Sequence, residues 1–173
     1  TWSAIDDRVM GGVSRSQMRH DHPGNAVFEG EVALDNNGGF ASVRCEPRPI
    51  GQADAHALTL EVRGNGKGYK LSVRTDDNFD GVSYQVAFTP PADHWLRLEL
   101  PFADFRAVFR GRAVPDAAPL DPARLRQLGL LIADRQAGRF ALPVRTTRLP
   151  SAAVRAAPKP DRRPTPPPVP PCP

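Results

Sequence analysis

Residues 58–73 read Leu58-Thr59-Leu60-Glu61-Val62-Arg63-Gly64-Asn65-Gly66-Lys67-Gly68-Tyr69-Lys70-Leu71-Ser72-Val73. Leu58, Leu60 and Val62 alternate with Thr59 and Glu61, and Tyr69, Leu71 and Val73 alternate with Lys70 and Ser72. A period of two puts successive side chains on opposite faces, so each run is a strand with one buried and one wetter face. The glycine-rich break between them reads as a hairpin loop, because glycine takes the positive φ values that tight turns require.

The same alternation extends outward. Phe28, Gly30, Val32 and Leu34 form one set, Val82, Tyr84, Val86 and Phe88 another, and Leu96, Leu98 and Leu100 a third. Further strands are expected at 40–45, 128–133 and 140–144. Asp35–Gly39 links two strands, Asp76–Gly81 closes a hairpin, and Pro90–Asp93 ends the strand before Trp95. One short helical candidate runs from Ala123 to Gln127, with Asp121 as its cap and Pro122 at its first position. His20 and His22, beside Asp21, Pro23 and Gly24, read as an exposed loop. At least eight short strands with almost no helix point to an all-β sandwich or jelly roll.

Charge and proline divide the chain in two. Eleven of the 20 prolines and six basic residues fall within 143–173, so the net charge of +4 leaves residues 1–142 near neutral. A Pro/Arg-rich end cannot bury enough apolar surface to fold. Residues 1–149 are therefore expected to form one domain and 150–173 a disordered tail. A near-neutral body gives no basic face for nucleic acid. The two cysteines, Cys45 and Cys172, make no disulfide framework and fit a reducing compartment. The longest apolar run without glycine, Leu130–Ala133, is too short to span a membrane, and no signal peptide is visible.

Most motifs dissolve on inspection. Asp76-Asp77-Asn78-Phe79-Asp80-Gly81 opens like a calcium loop, but its twelfth position is Ala87 rather than a bidentate carboxylate. Gly66-Lys67 is followed by Gly68, not the Ser or Thr of a phosphate loop. No histidine or cysteine set has zinc spacing, and Gly12-Val13-Ser14-Arg15-Ser16 lacks the closing glycine of a nucleophile elbow. No cofactor or metal is expected.

The segment Trp2-Ser3-Ala4-Ile5-Asp6-Asp7-Arg8-Val9-Met10-Gly11-Gly12-Val13-Ser14 is different. Two acids precede an arginine able to fork onto a carboxylate, and two glycines permit close backbone approach. Trp2 and Met10 are large apolar groups in a loop-like setting. The segment either caps the sandwich, with Asp7 and Arg8 tying a loop down, or forms a contact surface.

This opening, with Phe28-Glu29-Gly30, Asn36-Asn37-Gly38-Gly39-Phe40, Arg63-Gly64-Asn65-Gly66-Lys67, Pro101-Phe102-Ala103-Asp104-Phe105 and Gly129-Leu130-Leu131-Ile132-Ala133-Asp134-Arg135-Gln136, resembles the complex I intermediate-associated protein 30 family in order along residues 2–142. The resemblance implies a galactose-binding-like jelly roll. It also implies a non-catalytic assembly or chaperone-like factor whose partner is a protein client, a complex I (NADH:ubiquinone oxidoreductase) subunit or assembly intermediate. The site residues it implies are Asp6, Asp7, Arg8, Met10, Gly11, Gly12, Ser14, Asn37, Gly39 and Arg63. The setting would be the bacterial cytoplasm or the mitochondrial matrix. The alternative is a carbohydrate-binding module with Trp2 or Trp95 as a stacking platform, since Phe28, Tyr69, Tyr84 and Phe88 fall on buried faces.

Overall fold

The computed structural model describes residues 1–148 except Pro23 and Phe79. The Pro/Arg-rich segment from 149 onward, with its expected disorder and Cys172, lies outside the described residues. Two antiparallel sheets face each other. One has seven strands in the order β1-β4-β11-β6-β7-β9-β10, the other five in the order β2-β3-β12-β5-β8. In chain order these are β1 (Trp2–Ala4), β2 (Arg15–His22), β3 (Asn25–Val32), β4 (Ala41–Cys45), β5 (Ala57–Arg63), β6 (Tyr69–Arg74), β7 (Ser83–Phe88), β8 (Trp95–Pro101), β9 (Arg106–Phe109), β10 (Arg112–Ala113), β11 (Gln127–Ile132) and β12 (Gly138–Arg148).

The alternating apolar sets form the core. Leu58, Leu60 and Val62 of β5 meet Tyr69, Leu71 and Val73 of β6 across the sandwich, with Phe28, Phe140, Leu142, Val43 and Ile132. Phe28 and Phe140 pack edge to face with ring centres 4.9 Å apart, and Tyr69 stacks on Phe88 at 6.1 Å. Such pairs add to the area term that dominates core stability. Tyr84 is only half-buried, and its hydroxyl donates to the Ala118 carbonyl.

Three local readings are corrected. The Gly64–Gly68 loop is not a hairpin, because β5 and β6 belong to different sheets. The loop carries the chain across the sandwich, and Gly64 lies against the Pro90 and Pro91 carbonyls where a Cβ would collide. The residues around His20 and His22 form β2, a hairpin partner of β3 with a bulge between the two histidines. At the one helical candidate, Asp121 does cap, accepting from Ala123 N at 3.0 Å, but only a single 3-10 turn forms at Pro122–Arg124. Leu125 is then buried and Gln127 enters β11. Similar short turns form at Asp7–Met10, Asp35–Asn37 and Phe102–Asp104. The Asp76–Gly81 hairpin joins β6 to β7 as expected, with Arg74 donating to the Asn78 and Gly81 carbonyls at 3.0 Å each.

Candidate functional site

One end of the sandwich gathers the connections 5–14, 33–40, 64–68 and 133–138. At its centre is Asp7, 0 % exposed. Its carboxylate accepts from Ser14 N at 2.9 Å, Ser14 Oγ at 2.5 Å, Gly39 N at 2.8 Å and, at longer range, Phe40 N at 3.4 Å. Burial pushes its pKa up, but the hydrogen bonds from Ser14, Gly39 and Phe40 together outweigh burial and hold it below the ordinary 3.8. Asp6 does the same for the neighbouring strands, accepting from Ser16 N and Ser42 N at 2.9 Å each and from Ser16 Oγ. Two adjacent acids thus join β1, β2 and β4 by charge-assisted bonds to backbone amides.

The glycines of the segment follow from this cage. A Cβ at Gly12 or Gly38 would meet the Asp7 carboxylate itself. Gly11 closes the 3-10 turn at φ +88. Gly39 offers the amide that Asp7 needs, and Asn37, exposed at φ +60, completes the facing turn, from which Asn36 Nδ2 donates to the Gly11 carbonyl at 3.1 Å. Arg135 donates to the Gly38 carbonyl at 3.4 Å, and Gln136 exchanges two bonds with the Gly68 backbone. The four connections at this end are therefore tied into one unit.

The expected Asp7–Arg8 clasp does not form. Asp7 is satisfied by amides and a serine, while Arg8 is exposed and, among the described residues, takes part in no ion pair. Beside the exposed Arg8, Asn36 and Asn37, the cage presents three apolar side chains to solvent: Val9 is 68 % exposed, Met10 66 % and Val13 46 %. Trp2 is instead part of β1 and packs against the core. Arg63 closes β5, with its guanidinium 3.9 Å from Asp93 and no bond to the cage. Of the ten expected residues, the structure brings nine together around the cage and leaves Arg63 apart. Ser16, Ser42, Gly38, Val9 and Val13 join the site without having been singled out. The Ser-x-Ser following the Gly-Gly pair was the available signal for Ser16.

The outer face of the five-stranded sheet carries a shallow trough of about 700 Å³, lined by Arg15, Gln17, Glu29, Glu31, Asn65 and Arg139. Trp95 lies on the same sheet, with the Arg145 guanidinium over its ring at 3.7 Å. Among the described residues no cluster of three or more His, Cys, Asp or Glu side chains is arranged to hold a metal ion, and no helix is long and apolar enough to cross a membrane.

Two facing antiparallel sheets around a single aromatic and aliphatic core place this protein among the jelly-roll β-sandwiches of galactose-binding-like type. Solved structures of that shape include a family 11 carbohydrate-binding module of a Clostridium thermocellum cellulosomal cellulase, with a TM-score of 0.66 at 14 % identity over 87 % of this chain and 88 % of that one. The agarase AgWH50C matches over 87 % of this chain and 22 % of its own, at 11 % identity and a TM-score of 0.53. At such identities the likeness is one of fold alone. The sequence goes further: residues 1–144 match the complex I intermediate-associated protein 30 family, and the chain belongs to it. It is 26 % identical over 165 residues to an uncharacterised protein of Schizosaccharomyces pombe, covering 84 % of this chain and 75 % of that protein. It is 22 % identical over 165 residues to the mitochondrial complex I intermediate-associated protein 30 of Drosophila melanogaster, covering 83 % of this chain but 56 % of the fly protein.

Proposed function

We propose that this protein is a non-catalytic assembly factor that binds a protein client, a subunit or intermediate of complex I, through the loop end built on Asp6 and Asp7. The observation that carries the reading is that three strongly exposed apolar side chains, Val9, Met10 and Val13, ride on one loop whose base is locked by buried carboxylates. Exposing apolar groups is unfavourable unless a partner covers them, and an ordered loop loses less conformational entropy on docking. Arg8 beside them adds a charge at the rim of that surface. The name of the fly relative supports the client class. The protein would act where complex I is built, in the mitochondrial matrix or a bacterial cytoplasm.

The test is affinity capture from the native cell with the natural chain and with Val9→Asp/Met10→Asp. Complex I subunits are expected with the first and lost with the second at unchanged melting temperature. Equal recovery by both would sink the reading. A second reading, glycan binding, rests on the polar trough, whose interspersed donors and acceptors suit a polyhydroxylated ligand. Glycan-array binding abolished by Arg139→Ala would support it. The Arg145 guanidinium over Trp95 occupies the ring face that a sugar would stack on.

A further inference from the structure

An open sheet ends in edge strands whose outward backbone groups are a template for pairing with another chain, and proteins blunt such edges. Three of the four edges here are blunted. β1 and β10, the edges of the seven-stranded sheet, are three and two residues long. β2, at one edge of the five-stranded sheet, is mostly polar, is bulged between His20 and His22, and has its Ser16 amide taken by Asp6. β8, at the other edge, is different. It is seven residues long, pairs in unbroken register with β5, and reads Trp95-Leu96-Arg97-Leu98-Glu99-Leu100-Pro101. Trp95 and Leu96 are exposed.

The open side of β8 follows from its closed side. Phe102 N donates to the His56 carbonyl at 2.9 Å, in the same register that sets Pro101 opposite Ala57. Along an antiparallel strand, residues that exchange backbone bonds with the neighbour alternate with residues that turn those groups away. Leu96, Leu98 and Leu100 therefore bond β5, and Trp95, Arg97, Glu99 and Pro101 turn their backbone groups outward.

A second β8 laid antiparallel against the first has few registers open to it. A shift by one residue sets outward groups against residues already bonded to β5, and no ladder forms. Centring the pair on Arg97 or on Glu99 places that charge directly opposite its own copy, which is unfavourable. Centring it on Leu98 places Arg97 opposite the partner's Glu99 and Glu99 opposite the partner's Arg97. Leu96 then meets the partner's Leu100, and Trp95 meets the partner's Pro101. Longer shifts shorten the ladder. Arg97 is exposed and, among the described residues, takes part in no ion pair. Glu99 Oε1 lies 3.1 Å from His56 Nε2, and a carboxylate has acceptor sites for a second donor. The ladder lacks only the donor that Pro101 cannot supply at each end.

We propose that β8 is a dimerisation edge: two copies of this chain join their five-stranded sheets into one continuous sheet, antiparallel and centred on Leu98, with Arg97 paired to the partner's Glu99. A twofold axis closes such a contact, so it makes a dimer and not a fibre. β8 lies at the opposite edge of the sheet from β2 and the Asp6–Asp7 cage. The dimer therefore leaves Val9, Met10 and Val13 open and does not depend on the client reading.

Sedimentation velocity on the full chain, up to about 500 μM, is expected to show a monomer–dimer equilibrium with a Kd of about 10–100 μM, as suits a contact smaller than a standard interface. Arg97→Glu sets Glu against Glu, and Glu99→Arg sets Arg against Arg, so each alone should weaken dimerisation at least about tenfold. Mixed together, the two variants are complementary at both pairs, and a heterodimer should return to within about threefold of the natural Kd. Both side chains are exposed, so melting temperatures should stay unchanged. If either single variant fails to fold, the double swap Arg97→Glu/Glu99→Arg carries the test, because it restores both pairs within one chain. A natural chain that stays monomeric overturns the proposal. So does a dimer indifferent to the single changes, and so does a mixture or double swap that fails to regain the natural Kd.

Discussion

Replacing Asp7 with alanine removes the acceptor for two buried backbone amides, Ser14 N and Gly39 N, and for the Ser14 hydroxyl. The hydroxyl keeps a partner in the Ala33 carbonyl, but the two amides have nothing to replace the carboxylate. Leaving a buried donor unsatisfied costs about 1–3 kcal/mol, and bonds to a charged acceptor lie at the upper end, so Asp7→Ala should cost about 3–6 kcal/mol. That is a large part of the roughly 5–15 kcal/mol that holds a domain folded, and for a chain of this size it lowers the melting temperature by roughly 6–24 °C. Gly12 supplies the internal control. Its backbone is not left-handed, so Gly12→Ala is penalised by the contact of the new Cβ with the Asp7 carboxylate and not by backbone strain. Overpacking of this kind costs about 1–3 kcal/mol. In the Asp7→Ala background the two closest obstructing atoms, the carboxylate oxygen and its carbon, are gone and only the Cβ of residue 7, 2.9 Å away, remains, so the double variant should be more stable than the sum of the single losses by about 1 kcal/mol. Denaturant unfolding of the four proteins measures all of these quantities. A loss below about 1 kcal/mol for Asp7→Ala, or additivity of the two changes, would refute the cage.

Arg8→Ala should leave stability within about 0.5 kcal/mol, since the side chain is exposed and unpaired among the described residues, and should weaken client capture; a large drop in melting temperature would make Arg8 structural. Asp7 has a folded pKa below its ordinary 3.8, so its contribution is fully present above that value and is lost as the pH falls through the lower folded value. The natural chain should therefore lose stability more steeply than Asp7→Ala does as the pH falls below 3.8, and equal slopes would contradict this. Phe28→Ala, at the centre of the aromatic group, should cost about 3–5 kcal/mol in the same unfolding assay.

The core strands were legible because β3, β5, β6 and β7 each turn an apolar parity to the core, although Val27, Ala57, Thr59 and Ser83 of the other parity are buried as well. β2 was not legible. It is an edge strand whose only half-buried apolar side chain is Met18, so Arg15–His22 shows no apolar alternation. The Gly64–Gly68 loop misled for another reason. Glycine reports that the backbone turns or approaches something closely, and here the close approach is to the Pro90 and Pro91 carbonyls rather than to a turn of its own hairpin. At the site, the acids and glycines of Asp6–Ser14 stood out, but the partners did not. Ser42 lies 36 residues from Asp6 and Gly39 lies 32 from Asp7, distances that only the folded sheets close. The Asp-Arg adjacency pointed to a salt bridge, while the buried carboxylate took amides and released the arginine to solvent.

The central claim is that the Arg8–Val13 loop is the face that touches the client. A photoreactive benzoylphenylalanine placed at Met10 and, in parallel, at Phe109, an exposed aromatic on β9, tests it inside the native cell. The account predicts light-dependent cross-links to complex I subunits from position 10 and none from position 109. Cross-links from position 109 with none from position 10 would contradict it.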